Sequence, residues 1–524
     1  MDQKATAPKQ GLMQSLAGGI LRRKTIEQVQ TEYGTSELKR TLGPINLVFL
    51  GIGCIIGAGI FVRTGNAAAL HAGPGVMLSF LVAGLVCAFA GLCYAELASV
   101  LPVSGSAYTY SYATLGEFAA WIMGALLLLE YGLAASVVAV GWSGYAVSLL
   151  HDMGIVIPHE YTGPAGQLLG AMVNGEYVTA AMLKDGLVPA GATAVTGVFN
   201  LPAFAVSLTL TLLLVVGVSE SANFNNVIVL IKVAVIIAFI LIGGMAILAN
   251  PGQYLPNWDP FIPEPTGERG EFGMSGVMRA ASIVFFAYIG FEAVSTAGQE
   301  AKNPKRDMPI GILGSLIVCT ILYMLTAAVL TLLVNYTELN TAAPVADAVD
   351  RLGPQYGWFK IAVKLGAIAG LTSVILVLMY GQTRVFYAMA RDGLIPGVFA
   401  TVHKSFKTPW VNTLIVGVLV SVAAAAFDIN VLGDLTSVGT LAAFAIVCFT
   451  VVYLRNNRPD LERGFKVPFF PVTPILGILS CLYLITTVEM RVLTFFGYFL
   501  AGAVAVYFLY GIWFSKLGRA AKAK

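Results

Sequence analysis

Charged residues are scarce in this chain of 524 residues: 11% are Asp, Glu, Lys or Arg, whereas 57% are hydrophobic. Soluble domains carry about 25% charged residues, so the composition excludes that class. The net charge is only +3, and the basic residues are dispersed along the chain. Nucleic acid is therefore not an expected partner. The composition predicts an all-α polytopic membrane protein with the lipid bilayer as its surroundings.

Histidines are also few, and the cysteines are not arranged in pairs. The six cysteines all fall in apolar stretches without a C-x-x-C pair, and the four histidines lie in connecting stretches. Neither a disulfide framework nor a zinc site is expected from this pattern. The apolar stretches also contain no clustered Ser/His/Asp or Cys/His set, which argues against a membrane enzyme. We expect no metal and no other cofactor.

Long apolar runs, in contrast, are abundant. A run of roughly 17–25 apolar residues can cross a bilayer as a helix. We identify twelve such runs and name them segments 1 to 12. In chain order they are 43–64, 74–100, 118–149, 201–218, 224–249, 276–298, 310–335, 360–389, 410–427, 432–454, 470–488 and 494–514.

Basic residues indicate the orientation of these segments. Most of the 31 lysines and arginines lie in connections that fall on one side of the membrane if the segments cross in turn. Cytoplasmic connections carry the excess of basic residues, which predicts that both termini are cytoplasmic. The loop at 150–200 then lies outside, as a solvated connector or, alternatively, a binding element. Residues 101–116 are too polar to span, and their three tyrosines predict an interfacial stretch.

Two segments that are five apart carry helix-breaking residues. Segment 1 contains "GIGCIIGAGIF" at 51–61, and segment 6 contains Gly290 at mid-depth, followed closely by the acid Glu292. Glycine weakens a helix and allows close approach to its backbone, although helix packing alone could explain the glycines of segment 1. Interrupted segments at matching places in two halves are typical of transporters built from inverted repeats.

A broken membrane helix suggests a ligand. It frees backbone N–H groups at the start of one half-helix, which attract anions, and carbonyl groups at the end of the other, which attract cations. A zwitterion such as an amino acid fits a site of this kind.

One lysine lies in the middle of an apolar run. Lys232 occupies the centre of "NNVIVLIKVAVIIAF" at 225–239, where a lysine costs roughly 2.5–3.5 kcal/mol. Counted from the same side, Glu130 in "LLLLEYGL" of segment 3 reaches a similar depth. We predict that the two groups meet directly or through water and that they couple transport to protons. A static pair that only fixes packing is the alternative.

Two other acids lie within segments. We expect Glu292 to form an ion pair with Arg384, or else to belong to an inner gate, and we expect Glu96 to be a structural carboxylate.

Three stretches resemble a known family: "LRRKTIEQVQTEYGTSELKRTLGPINLVFLGIGCIIGAGIFVRTG" at 21–65, "FFAYIGFEAVSTAGQEAKNPKRDMP" at 285–309 and "TRVFYAMARDGLIP" at 383–396. They are similar to the amino acid–polyamine–organocation superfamily, especially its bacterial cationic amino acid transporter branch. The resemblance implies the leucine-transporter-type fold, with twelve transmembrane helices arranged as a 5+5 inverted repeat plus two C-terminal helices. Segments 1, 2, 6 and 7 would move against segments 3, 4, 8 and 9.

This architecture implies four parts of the chain. They are a cytoplasmic N-terminal part at 1–42, a first repeat at 43–249, a second repeat at 250–456, and segments 11 and 12 with a cytoplasmic tail at 457–524.

The resemblance also implies site residues. The amides of Gly57, Ala58 and Gly59 would hold a substrate carboxylate, and the Phe286 ring would act as a gate. The substrate ammonium would bind carbonyl groups, and Lys232 would bridge segment 1 to segment 8 where sodium-coupled relatives place a metal ion. The carbonyl groups are those of Ile55, Phe286 and Ile289, and Ala287 and Gly290 complete the candidate set. A flexible methionine and a bulky isoleucine opposite the breaks, Met379 and Ile56, are candidates for the side-chain pocket.

These features predict a secondary active transporter that imports L-amino acids by proton symport across the bacterial inner membrane, through alternating access around segments 1 and 6. A sodium-independent amino acid exchanger is the alternative, whereas a channel gives no reason for paired breaks. Whether the substrate is neutral or cationic stays open, as does a small auxiliary membrane subunit.

Overall fold

The structure of the chain is a computed structural model. It describes residues 22–25, 41–102, 105–173, 175–180, 183, 187–189, 191–217, 222–298 and 300–523. These residues form a mostly helical protein with one small β-sheet.

A helix is found at each of the predicted apolar segments. In segment order, the main helices are Pro44–Ile55, Val76–Val100, Glu117–Leu127 with Ala134–Asp152, Leu201–Val216, Ala222–Ala249, Gly273–Val284, Pro304–Leu333, Gly357–Arg391, Trp410–Ala426, Ile429–Asn457, Val472–Thr486 and Met490–Val506. Within the described residues, eight helical stretches are long and apolar enough to cross a membrane, and four shorter apolar helices accompany them. The shorter helices are Pro44–Ile55, Leu201–Val216, Trp410–Ala426 and Val472–Thr486.

Local sequence signals explain where these helices begin and end. In segment 4, the Asn200 side chain accepts a hydrogen bond from Ala203 N–H at 3.1 Å, and Pro202 follows within the first turn. Asparagine caps the unpaired amides of a helix start, where proline costs no hydrogen bond. The same helix ends at Gly217, whose φ of +88° places it in the left-handed region that favours glycine.

The helices pack in two main groups. Segments 1, 2, 6 and 7 contact one another, with Pro304–Leu333 against both Val76–Val100 and Pro44–Ile55. Segments 3, 4, 8 and 9 contact one another, with Gly357–Arg391 against Ala134–Asp152. Segment 5 contacts segments 1, 7 and 8, so it lies between the two groups. This position brings its central lysine to their boundary.

The loop at 150–200 contains a three-stranded antiparallel sheet. Strands β1 (Leu168–Val173), β2 (Glu176–Thr179) and β3 (Thr193–Thr196) pair in the order β2-β1-β3. Its strands are short, and many glycines and alanines lie near them. The alternation of apolar and polar residues that is typical of a strand is therefore not evident in the sequence.

The polar stretch after segment 2 forms a helix, Ser106–Thr114. Its tyrosines Tyr108, Tyr110 and Tyr112 are all buried within the protein. The prediction that they lie at the lipid headgroups is therefore wrong. Their hydroxyl groups allow them to enter a polar interior instead, where Tyr108 donates a hydrogen bond to Asp392 at 2.8 Å.

Candidate functional site

Segment 1 is interrupted in the middle of its glycine run. Helix Pro44–Ile55 ends where Ile56 adopts an extended conformation with φ −72° and ψ 102°. Helical structure resumes as a π-helical turn at Gly59–Arg63. The break in segment 1 therefore consists of Ile56, Gly57 and Ala58. Amides at the start of a helical piece have no partner within it, so those of Gly57, Ala58 and Gly59 are available to an anion.

Segment 6 is interrupted at the predicted glycine. Helix Gly273–Val284 continues as a short 3-10 turn, Phe285–Tyr288, and a second 3-10 stretch begins at Phe291. The break in segment 6 lies between them, at Ile289 and Gly290. Gly290 has a φ of +117°, which only glycine adopts readily, and a Cβ atom there would lie 2.9 Å from the backbone carbon of Cys54.

The two interrupted segments meet each other. A Cβ atom on Gly59 would lie 2.2 Å from the Cα atom of Ala287, so no larger residue fits at that position. A Cβ atom on Gly57 would instead make ordinary contact with Val374, at 3.4 Å from its Cγ1. Packing thus requires glycine at position 59 but tolerates a small side chain at position 57.

A narrow cavity of about 10 Å³, roughly the room that one water molecule needs, lies beside these breaks. Ligand pockets usually measure about 300–1,000 Å³, so this one must widen before it admits a small molecule. Its lining combines residues of the interrupted segments 1 and 6 with apolar residues of segments 3 and 8. The lining residues are Cys54, Ile55, Gly57, Ala58, Gly59, Ala134, Val138, Phe286, Ile289, Val374 and Leu378.

The cavity brings together most of the predicted binding residues, but not all. Ala287 and Gly290 contact segment 1 and do not line it. Ile56 and Met379 are fully buried and do not line it either, so the structure does not bring either side-chain pocket candidate to the cavity. Met379 follows the lining residue Leu378, and one helical step turns its side chain by about 100° to another face.

Tyr323 of segment 7 is a further polar group at the breaks, and it is not among the residues predicted from the sequence. Its hydroxyl lies 2.9 Å from the carbonyl oxygen of Ile55 and 3.0 Å from that of Ala287, and it is fully buried. One hydroxyl thus joins the end of the first half-helix of segment 1 to segment 6. The signal was an isolated hydroxyl inside an apolar run.

Lys232 is buried against the break in segment 1. Its Nζ donates to the carbonyl oxygen of Gly53 at 2.7 Å and to that of Ile56 at 3.2 Å. Both carbonyls belong to the end of the first half-helix, where the helix dipole attracts a cation. The stem of Lys232 passes over Gly370 of segment 8, where a Cβ atom would lie 2.5 Å from its Cδ. Glycine at 370 therefore provides the space for the lysine.

Glu130 does not form the predicted direct contact with Lys232. Both of its carboxyl oxygens are buried and meet no N–H or O–H donor among the described residues, and the carboxyl group beside it is that of Glu292 of segment 6. Depth along a helix sets the level of a side chain but not its direction, and Glu130 lies in a π-helical turn, Leu128–Leu133. A connection between the two residues through water stays a prediction.

Glu292 is also not paired with Arg384. Its Oε2 accepts a hydrogen bond from Gly290 N–H at 2.9 Å, and its Oε1 lies 3.4 Å from the hydroxyl of Tyr131. Arg384 is exposed, and its guanidinium lies 4.7 Å from the centre of the Tyr380 ring. Glu292 thus caps the break in its own segment instead of forming the predicted ion pair.

A buried ion cluster lies at the C-terminal end of segment 1, after the break. Arg63 donates to Asp434 of segment 10 at 2.8 Å, and Arg279 of segment 6 contacts the other oxygen of Asp434. The three charges therefore connect segments 1, 6 and 10. At the opposite end of the bundle, Glu96 accepts hydrogen bonds from Arg455 and Arg463, which agrees with its predicted structural role.

Among the residues that the structure describes, no group of three His, Cys, Asp or Glu side chains could hold a metal ion.

A family model described as amino acid permease matches residues 42–512. The chain belongs to the amino acid permease family, within the amino acid–polyamine–organocation superfamily. It is a multi-pass membrane transporter and not an enzyme.

Full-length relatives support the assignment to this permease family. The chain is 42% identical over 506 residues to the branched-chain amino acid permease BcaP of Bacillus subtilis (strain 168), covering 96% of this chain and 100% of the relative. It is also 42% identical over 492 residues to the methylthioribose transporter of the same organism, covering 94% and 97%. Cationic amino acid transporter 9, chloroplastic, of Arabidopsis thaliana is 37% identical over 432 residues, covering 82% and 68%.

Proposed function

We propose that this permease imports a neutral, apolar L-amino acid by proton symport across the bacterial plasma membrane. The observation that carries the proposal is the cavity itself, which is lined by residues of two broken helices and by apolar residues of segments 3 and 8. Backbone groups suit the charged ends of an amino acid, and aliphatic side chains suit its apolar part.

The amides of Gly57, Ala58 and Gly59 receive the substrate carboxylate. The carbonyls of Ile55, Phe286 and Ile289 receive its ammonium group, and the Phe286 ring closes over the substrate. The carbonyl of Ile55 already accepts from Tyr323, but its second lone pair is available.

The side-chain part of the cavity is lined by Ala134, Val138, Val374 and Leu378, and no carboxylate from the described part of the chain lines it. A cationic side chain buried there would lack a partner, which is costly. A neutral aliphatic substrate fits better. This choice agrees with the printed name of one relative, the branched-chain amino acid permease BcaP.

Transport proceeds by alternating access. Twelve membrane helices form two inverted repeats of five, followed by two more helices, and both termini are cytoplasmic. Segments 1, 2, 6 and 7 move against segments 3, 4, 8 and 9. Lys232 binds the break in segment 1 when protonated and releases it when it loses its proton. Its contacts with Gly53 and Ile56 and its position between the two groups of helices support this role.

The test is uptake into proteoliposomes with an imposed pH gradient. The panel contains leucine, isoleucine, valine, arginine, lysine and methylthioribose. We expect accumulation of the branched aliphatic amino acids, driven by an acidic outside. Accumulation of arginine or methylthioribose alone would contradict the substrate class. Exchange of internal for external leucine without response to the pH gradient would favour the exchanger.

A further inference from the structure

Two buried acids face each other across segments 3 and 6. Glu130 and Glu292 are both fully buried. Glu292 is held in place by Gly290 N–H and by the hydroxyl of Tyr131. Glu130 lies beside it, yet neither oxygen of Glu130 meets a hydrogen-bond donor. Buried polar groups are satisfied in the great majority of cases, so this exception calls for a cause.

The ionisable groups that face the two acids are hydroxyl and thiol groups, and Lys232 acts on one of them, Cys54. Tyr94 of segment 2, Tyr131 of segment 3 and Cys54 of segment 1 are the ionisable groups that face them, together with Cys87 of segment 2. Among the described residues, neither acid forms an ion pair with a lysine, arginine or histidine. The hydroxyl of Tyr94 likewise has no hydrogen-bond partner.

Two carboxylates in such surroundings cannot both be ionised. Burial penalises each charge, and like charges at close range disfavour each other further. One proton removes both problems, because it neutralises one acid and turns one carboxyl oxygen into a donor for the other acid. We propose that Glu130 and Glu292 share one proton and form a proton-binding site beside the break in segment 6.

The position of this acid pair connects the proton to the backbone breaks. Glu292 caps the amide of Gly290, and Gly290 packs against the backbone of Cys54. Cys54 follows Gly53, whose carbonyl binds Lys232. Where the transport cycle opens this site to water, the shared proton leaves, and the two carboxylates that remain repel each other and weaken the contact of Glu292 with Gly290. The acid pair and Lys232 thus act on the same junction of segments 1 and 6.

The proton itself can be measured without transport, whereas its role in coupling rests on the proposed symport. Infrared spectra of the purified protein at neutral pH are compared with those of the double variant Glu130→Gln/Glu292→Gln. Glutamine keeps the size of the side chain and an acceptor for Gly290 N–H. We expect the wild-type protein to show a protonated-carboxyl band that shifts in deuterium oxide and is lost in the double variant. The exposed Glu462→Gln variant serves as the control and keeps the band.

A wild-type spectrum without that band would overturn the shared proton, whatever transport shows. The single variant Glu130→Gln then tests coupling in proteoliposomes. The glutamine is permanently neutral, so we expect this variant to bind and exchange substrate while its pH-driven accumulation falls at least tenfold. If the band is present but Glu130→Gln still concentrates substrate like the wild type, the proton is structural and its role in coupling is overturned. Neither the infrared band nor the Glu130→Gln measurement involves a Lys232 variant, so the acid pair and the proposed role of Lys232 are tested separately.

Discussion

Lys232 Nζ donates a hydrogen bond of 2.7 Å to the carbonyl oxygen of Gly53, which joins the centre of segment 5 to the end of the first half-helix of segment 1. A buried lysine is normally disfavoured at this depth. Here two carbonyls at the negative end of a helix piece receive it. A charge on the lysine and the shape of the break are therefore expected to depend on each other.

Gly57→Val tests the carboxylate site. The added side chain makes contact with Val374 and projects beside the free amides, but it does not meet backbone. We expect a folded protein whose affinity for the substrate falls at least tenfold, or about 1.4 kcal/mol. Scintillation proximity binding measures the affinity, and gel filtration checks the fold. Gly59→Val is the contrasting variant: it should fail to fold, because even a Cβ atom there overlaps Ala287. A stable Gly57→Val protein with normal binding would refute the assignment.

Tyr323→Phe tests the link between the two broken segments. The substitution leaves the carbonyls of Ile55 and Ala287 without their shared donor. A buried group that loses its partner costs about 1–3 kcal/mol. We expect a lower melting temperature in detergent and weaker substrate binding, with substrate restoring part of the stability. Tyr483→Phe, at a half-exposed position of segment 11, is the control. Equal melting temperatures for Tyr323→Phe and the wild type would show that the hydroxyl does not support the breaks.

Leu378→Ala tests the side-chain pocket. Shortening this lining residue enlarges the cavity, and an extra methylene in a hydrophobic pocket changes discrimination by about 10–200-fold. We expect phenylalanine or methionine to compete better for leucine uptake. Met379→Ala removes a buried side chain from the next position, outside the lining, and should leave the competition profile unchanged. The assignment of Leu378 to the side-chain pocket fails if Met379→Ala changes the competition profile and Leu378→Ala does not.

Asp434→Asn tests the ion cluster of segments 1, 6 and 10. It removes the charge that Arg63 and Arg279 share. Breaking a buried ion pair costs about 3–5 kcal/mol, although asparagine retains part of the hydrogen bonding. If the cluster closes the cavity, an Ala134→Cys reporter should be labelled faster from the side that carries the β-sheet. Cys54 lines the same cavity, so the reporter is introduced into a Cys54→Ala background, in which the other five native cysteines are buried. Asp460→Asn, in an exposed pair with Arg458, is the control, and equal labelling rates would exclude a gating role.

The sequence was sufficient for features that depend on local order. Apolar length predicted the helical segments, and the glycine run and Gly290 predicted both breaks, because glycine near a polar neighbour weakens a membrane helix locally. Lys232 was recognised because a single charge in an apolar run is costly.

Features that depend on helix rotation and distant contacts could not be predicted. Counting residues placed Lys232 and Glu130 at one depth, but it could not tell that the carboxyl of Glu130 faces Glu292. The same limit applies to Met379, whose neighbour Leu378 lines the cavity. Tyr323 and Asp434 contact partners in other segments, and no local pattern marks those contacts.

The coupling role of Lys232 is tested most directly by Lys232→Ala in proteoliposomes, where uptake on an imposed pH gradient and exchange at equal pH are measured side by side. Lys364→Ala is the matched control, since Lys364 is also buried but pairs with Asp152, away from the breaks. We expect Lys232→Ala to lose pH-driven accumulation while keeping substrate binding or exchange, and Lys364→Ala to keep both activities. If folded Lys232→Ala protein still concentrates the substrate on the pH gradient, the lysine is not the coupling group.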